Sequence, residues 1–143
     1  ALKQSKFKSY VPKKSELDKI LELAHKSIES KSYIQARGYI KTWLAKAIDP
    51  SVEGQLKIAR LFNKMDDYGN AVIHVERAFD TATGKGESST EESLNFAKSI
   101  YLKQDNYSRA TDILSALIKN YPKQKYFNQL TQLRDQTPNK KPN

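Results

Sequence analysis

Seven stretches of the chain place apolar residues every three or four positions, the period of one buried helix face, and polar turn-formers separate them. Leu17, Ile20, Leu21, Ala24 and Ile28 share a face of the first, over about residues 15–28, which Ser15 with Asp18 should start as a capping-box pair. Ala36, Ile40, Trp43, Leu44 and Ala47 line a second helix over 33–47, with the single tryptophan on the inward side. Asp49-Pro50-Ser51 stops that helix and opens the next, Pro being tolerated in a first helical turn. The third covers 52–64, with Ile58, Ala59 and Phe62, and the fourth 68–82, with Ala71, Val75 and Ala78. Glycines and serines over 83–89 break the period. Ser89 with Glu92 is then a second capping-box pair, starting a fifth helix that carries Leu94, Ala97, Ile100 and Tyr101. Ala110, Ile113, Leu114, Leu117 and Ile118 form the sixth, ended by Asn120-Tyr121-Pro122, and Tyr126, Phe127, Leu130 and Leu133 mark a seventh to about residue 135. The pattern predicts an all-α chain.

Within this pattern one phrase recurs. Tyr33 with Ala36, Tyr68 with Ala71, and Tyr107 with Ala110 follow polar turns at intervals of 35 and 39 residues, each between two periodic stretches. The unit is helix, short turn, helix. A small residue one turn into the second helix lets two antiparallel backbones approach, which explains the alanines. Units of this kind bury apolar surface between neighbours rather than in one centre, so the ends of the array need polar caps.

The phrase and its spacing resemble the tetratricopeptide repeat family, whose unit is about 34 residues. The third copy matches the family pattern with Leu94, Ala97, Tyr101, Tyr107, Ala110, Leu114, Leu117 and Pro122. The second matches with Ile58, Ala59, Phe62, Tyr68, Ala71, Val75 and Ala78. The first matches with Ile20, Leu23, Ala24, Tyr33, Ala36 and Ile40, but lacks the proline. The resemblance implies a right-handed superhelix of about three helix-turn-helix units, over 17–50, 52–85 and 91–124, plus a C-terminal capping helix over 123–136. It also implies a concave, partner-binding groove lined by Asp18, Leu21, His25, Ile28 and Glu29, by Glu53, Leu56, Arg60, Asn63 and Lys64, and by Glu92, Asn95, Ser99, Leu102 and Lys103. Apolar residues interleaved with both charge signs suit a peptide or helix of a partner protein. The cochaperone branch of the family grips a C-terminal carboxylate with Lys, Asn and Arg; Leu21, His25, Lys57, Glu92 and Phe96 stand at those places here, so that clamp is missing. A narrower resemblance, over 66–133, is to periplasmic tetratricopeptide proteins that accompany TonB energy-transduction systems. It rests on Asp67-Tyr68, Glu76-Arg77-Ala78, Asn106-Tyr107 and, above all, the run from Leu117 through Tyr121-Pro122-Lys123 to Tyr126. It implies a periplasmic location, the cytoplasm being the alternative.

Composition narrows the function further. A chain of 143 residues is filled by three helical pairs and leaves no room for a separate catalytic domain. With no cysteine, disulfides, thiolate catalysis and Cys-based zinc sites are excluded. No run of about 18 apolar residues occurs, and Ala1-Leu2-Lys3-Gln4-Ser5-Lys6 lacks the apolar core of a signal peptide. A start at Ala1 fits a processed protein and an excised piece equally.

The formal charge of +9 sits at the ends: residues 1–15 carry five lysines and no acid, 119–143 carry a net +5, and 16–118 a net −1. Residues 1–14, with Phe7, Tyr10, Val11 and Pro12 among lysines, read as a basic arm, and 137–143 as a disordered tail. The basic ends, with Tyr121 and Tyr126 near one of them, offer nucleic acid or an anionic surface as the alternative partner. The neutral repeats provide no continuous basic track, so nucleic acid is disfavoured. His25 and His74 fall on different repeats without ligand spacing, and Gly84-Lys85-Gly86 lacks the phosphate-loop pattern. The expectation is a non-enzymatic scaffold with no cofactor and no metal, whose oligomeric state stays open.

Overall fold

A computed structural model of the chain describes residues 13–136, so the arm before Lys13 and the tail after Gln136 lie outside it. Among the described residues there are seven helices and no strand: α1 (Lys14–Glu29), α2 (Tyr33–Lys46), α3 (Val52–Lys64), α4 (Tyr68–Gly84), α5 (Glu91–Lys103), α6 (Tyr107–Asn120) and α7 (Gln124–Gln136). They form two compact units divided between Pro50 and Ser51. The first contains the hairpin α1–α2. The second contains the hairpins α3–α4 and α5–α6, with α7 packed on α6.

One turn closes all three hairpins. Lys31, Asp66 and Asp105 each take the left-handed conformation, at φ 61°, 57° and 55°. The next residue then returns its N–H to the last turn of the helix before: Ser32 to Ser27 O at 2.7 Å, Asp67 to Phe62 O at 2.9 Å, Asn106 to Tyr101 O at 2.8 Å. These are Schellman closures, in which a carbonyl left open by the helix end finds a donor. In the second unit the same residue also caps the following helix. Asp67 Oδ1 accepts the Asn70 N–H at 3.3 Å and Asn106 Oδ1 the Arg109 N–H at 3.2 Å. The recurring tyrosine adds a brace, since the Tyr68 and Tyr107 hydroxyls donate to Asp66 and Asp105 at 3.0 and 3.3 Å. The first turn has Lys31 and Ser32 where the others have Asp and Asp or Asn, and Ser32 makes no side-chain cap.

Two helix starts differ from the sequence reading, and a third keeps its expected start at Val52 without its proline. Ser15 lies inside α1, whose cap position is held by Lys13 with no side-chain bond, so the Ser15–Asp18 box is not made. Helix α5 is capped by Thr90, whose Oγ1 accepts the Ser93 N–H at 3.1 Å. Ser89 stands one residue outside, its carbonyl accepting the Tyr121 hydroxyl at 2.9 Å, and Glu92 is left to bond across to Arg60. Pro50 precedes α3 rather than entering it, because Ser51 Oγ takes the Gly54 N–H at 3.0 Å and is the cap.

Ala24, Ala36 and Ile40 are fully buried in the first unit, with Trp43 5% exposed. In the second, Ile58, Ala59, Ala71, Val75, Ala78, Ala97, Ile100, Ala110, Leu114, Leu117 and Tyr126 are fully buried. Two apolar residues expected inside are not. Leu23 is 41% exposed because Ala24, Ser27 and Ile28 set the inward face of α1, rotating Leu23 off it. Phe127 is 45% exposed for the same reason, Tyr126 and Leu133 being the buried pair on α7.

Candidate interaction face

In the second unit, side-chain bonds tie α3, α5 and α7 edge to edge. Arg60 on α3 donates to Glu92 Oε1 on α5 at 2.9 Å, with its guanidinium 4.7 Å from the Phe96 ring centroid. One helical turn further along, Lys103 Nζ reaches Asn63 Oδ1 at 3.4 Å and lies 5.2 Å from the centroid of the Tyr68 ring. Between α5 and α7 the Tyr126 hydroxyl donates to Glu91 and accepts from Asn95 Nδ2 at 2.8 Å, while Lys123 Nζ pairs with Glu91 Oε2 at 2.8 Å. That lysine, followed by the tyrosine hydroxyl, holds the Glu91 carboxyl below its usual range. Lys98 continues the series, donating to Asn95 Oδ1 at 2.9 Å and to Gln129.

A second tie joins the hairpins from the other side. Glu76 on α4 accepts from Arg109 Nη2 on α6 at 2.6 Å and from the Tyr101 hydroxyl on α5. Burial and the Glu76 carboxylate together push the Tyr101 phenol up to about 12. The phenol therefore stays protonated and donating across physiological pH.

The sequence candidates divide accordingly. Leu56, Arg60, Asn63, Asn95, Ser99 and Leu102 are half-buried, Lys64 and Lys103 exposed, on α3 and α5, which the Arg60–Glu92 and Lys103–Asn63 bonds bring together. Ser99 is turned to its own helix, its hydroxyl donating to Phe96 O at 2.7 Å. In the first unit Leu21 is half-buried and His25 Nε2 sits 3.7 Å from Glu29 Oε2. Ile28 is 7% exposed and packs in the core of its hairpin. Sequence reasoning did not assign Phe96, Lys98, Tyr126 and Gln129 to this face; the helical period reads Tyr126 as packing and gives the other three no distinguishing signal. Tyr126 is fully buried, so its ring is not free to stack a base, while Tyr121 is half-buried with its hydroxyl bonded to Ser89 O. Pro122 is exposed, in the link between α6 and α7.

His74, which has no ligand spacing in the sequence, is 5% exposed. Its ring stacks on Phe62 at 5.5 Å and its Nδ1 lies 3.0 Å from Gln55 Oε1, a buried polar pair between α3 and α4. Burial, then the nearby Arg77, pulls its pKa below the ordinary value of 6.5. The native state thus binds the proton less readily than the unfolded chain. The stability this contributes is complete above pH 6.5 and is lost as pH falls through that value toward the lower native one. Urea midpoints should drop between pH 7.5 and 5.5 for the natural chain but not for His74→Gln. Equal slopes in the two would assign the loss to another group.

Among the described residues no three metal-ligating side chains cluster, and no helix is long and apolar enough to cross a membrane. No known protein family matches the chain, and neither does any curated protein.

Proposed function

We propose that this chain is a tetratricopeptide-type scaffold whose hairpins stack into a right-handed superhelix and bind a peptide or helical segment of a partner protein. The observation that carries the reading is the row of bonds Arg60–Glu92, Asn63–Lys103, Glu91–Tyr126 and Lys98–Gln129. These hold α3, α5 and α7 as one fixed face before any partner arrives. A preorganised face loses less entropy on binding than one that must be ordered. Half-buried Leu56 and Leu102 supply apolar contact on it, and exposed Lys103 supplies charge. The partner class suggested by the narrower resemblance is an envelope component of TonB-dependent transport, met in the periplasm, with a cytoplasmic partner as the alternative.

The test is affinity capture from a native extract with the natural chain and with Leu56→Glu/Lys103→Glu. Arg60 is left unchanged there, because its 2.9 Å bond to Glu92 and its place over the Phe96 ring join α3 to α5 more closely than the 3.4 Å Lys103–Asn63 bond does. Envelope or transport proteins held by the natural chain and bound at least about ten-fold more weakly by the double variant are the expected result. Equal retention by both, with helical content unchanged, would remove this face as the binding surface. Nucleic acid retained equally by both would transfer the function to the basic ends.

A further inference from the structure

Among the ties between α5 and α7, Lys98 differs from the other cations. Arg60, Arg109 and Lys123 each face a carboxylate, of Glu92, Glu76 and Glu91 respectively. Lys98 is half-buried and gives two of its three N–H groups to neutral amide oxygens, those of Asn95 and Gln129, with the Tyr126 ring centroid 5.5 Å away. Among the described residues no carboxylate stands within ion-pair distance of it. Glu91 is reached only through Asn95 and Tyr126, and is already paired with Lys123. Burial, with Lys125 adding to it, draws the Lys98 ammonium below the ordinary lysine range. A half-buried charge without a counter-ion is costly to keep unless something binds it.

Lys98 lines a cleft of about 310 Å³ between α5, α6 and α7. Leu102, Leu114 and Leu133 form its apolar side, and Gln129 and Gln132 contribute neutral amides. The size is at the lower end of small-ligand pockets, enough for one or two side chains. An apolar wall, uncharged donors and one unmatched cation select a ligand that is apolar over most of its surface and negative at one point. The chain's own residues 137–143 carry Lys140 and Lys141 and no acid, so they do not complement it.

We propose that this cleft receives a Glu or Asp side chain of the partner peptide at Lys98, with an apolar neighbour of that residue seated on Leu102 and Leu133. The proposal rests on the interaction-face reading above and adds the chemistry of its occupant.

The probe is a random dodecapeptide display library selected on the full chain, followed by fluorescence titration of the selected peptides. Enriched peptides should carry an acid next to a large apolar residue. Their affinity should fall at least about ten-fold on Lys98→Met, and equally on changing the peptide acid to its amide, as loss of a charge-assisted bond predicts. The two changes together should cost no more than either alone. The peptide change leaves the protein untouched and shows whether an acid is needed at all; if Lys98→Met folds poorly, Lys98→Gln takes its place in locating that acid. Peptides that tolerate both changes overturn the Lys98 subsite; if they still lose affinity on Leu56→Glu/Lys103→Glu, the face itself stands. A library that yields no binder overturns both.

Discussion

Replacing Tyr126 by Ala should cost about 3–5 kcal/mol, a large share of the roughly 5–15 kcal/mol available to a domain. Tyr126 is the largest of the fully buried side chains among the described residues. Its removal leaves a cavity under α7 and strips a partner from both Glu91 and Asn95. Leu133 is the other buried residue of α7, so the helix has little else to hold it. In hydrogen exchange, amides of α7 should lose protection first, while those of α3 and α4 keep theirs. Tyr126→Phe separates the two contributions, since it retains the ring and removes only the hydroxyl, at about 1 kcal/mol. If urea denaturation gave the same loss for both variants, ring burial would not be what fastens α7.

Enlarging Ala110 to Leu should cost about 1–3 kcal/mol, and more if α5 and α6 cannot move apart. Ala110 is fully buried one turn into α6. Leu and Ala have nearly equal helix propensity, so the cost measures the crossing rather than the helix. Ser115→Leu, on the exposed side of the same helix, is the control and should stay within about 0.5 kcal/mol of the natural chain. Thermal or urea midpoints that moved equally for both substitutions would show that Ala110 is not set by the approach of the two backbones.

Apolar period and turn chemistry made the helices readable. The starts at Tyr33, Val52, Tyr68 and Tyr107 follow directly from polar turns before an apolar run. What the sequence did not reveal was which of several neighbouring Ser, Thr or Asp residues caps a helix. Thr90 displaces Ser89 because the choice depends on where the preceding chain enters. The candidate face was less legible still. Family positions pointed to Arg60, Asn63, Asn95 and Lys103, yet the structure uses all four partly to join helices to one another. Lys98 shows the converse, a residue with no sequence signal whose interest lies in the partner it lacks. The segment carrying the narrower resemblance is similarly occupied: Leu117 and Tyr126 are buried, Tyr121 is bonded to Ser89 O and Lys123 to Glu91. A likeness carried by such residues speaks to packing before it speaks to a shared partner.

The two hairpin turns of the second unit also determine where the chain can change length. Asp67 and Asn106 each complete one helix through the backbone N–H and begin the next through the side chain. An added residue would take either the closure or the cap away from its helix, so these turns measure one helix against the other and cannot stretch. After α4 the same kind of closure occurs, with Gly86 at φ 70° and Glu87 N–H bonded to Ala82 O at 2.8 Å. There the next cap, Thr90, is a separate residue, and those between are largely exposed. The four residues by which the Tyr68–Tyr107 interval exceeds the Tyr33–Tyr68 interval accordingly lie outside the turns, three in the longer α4 and one in the link that follows it.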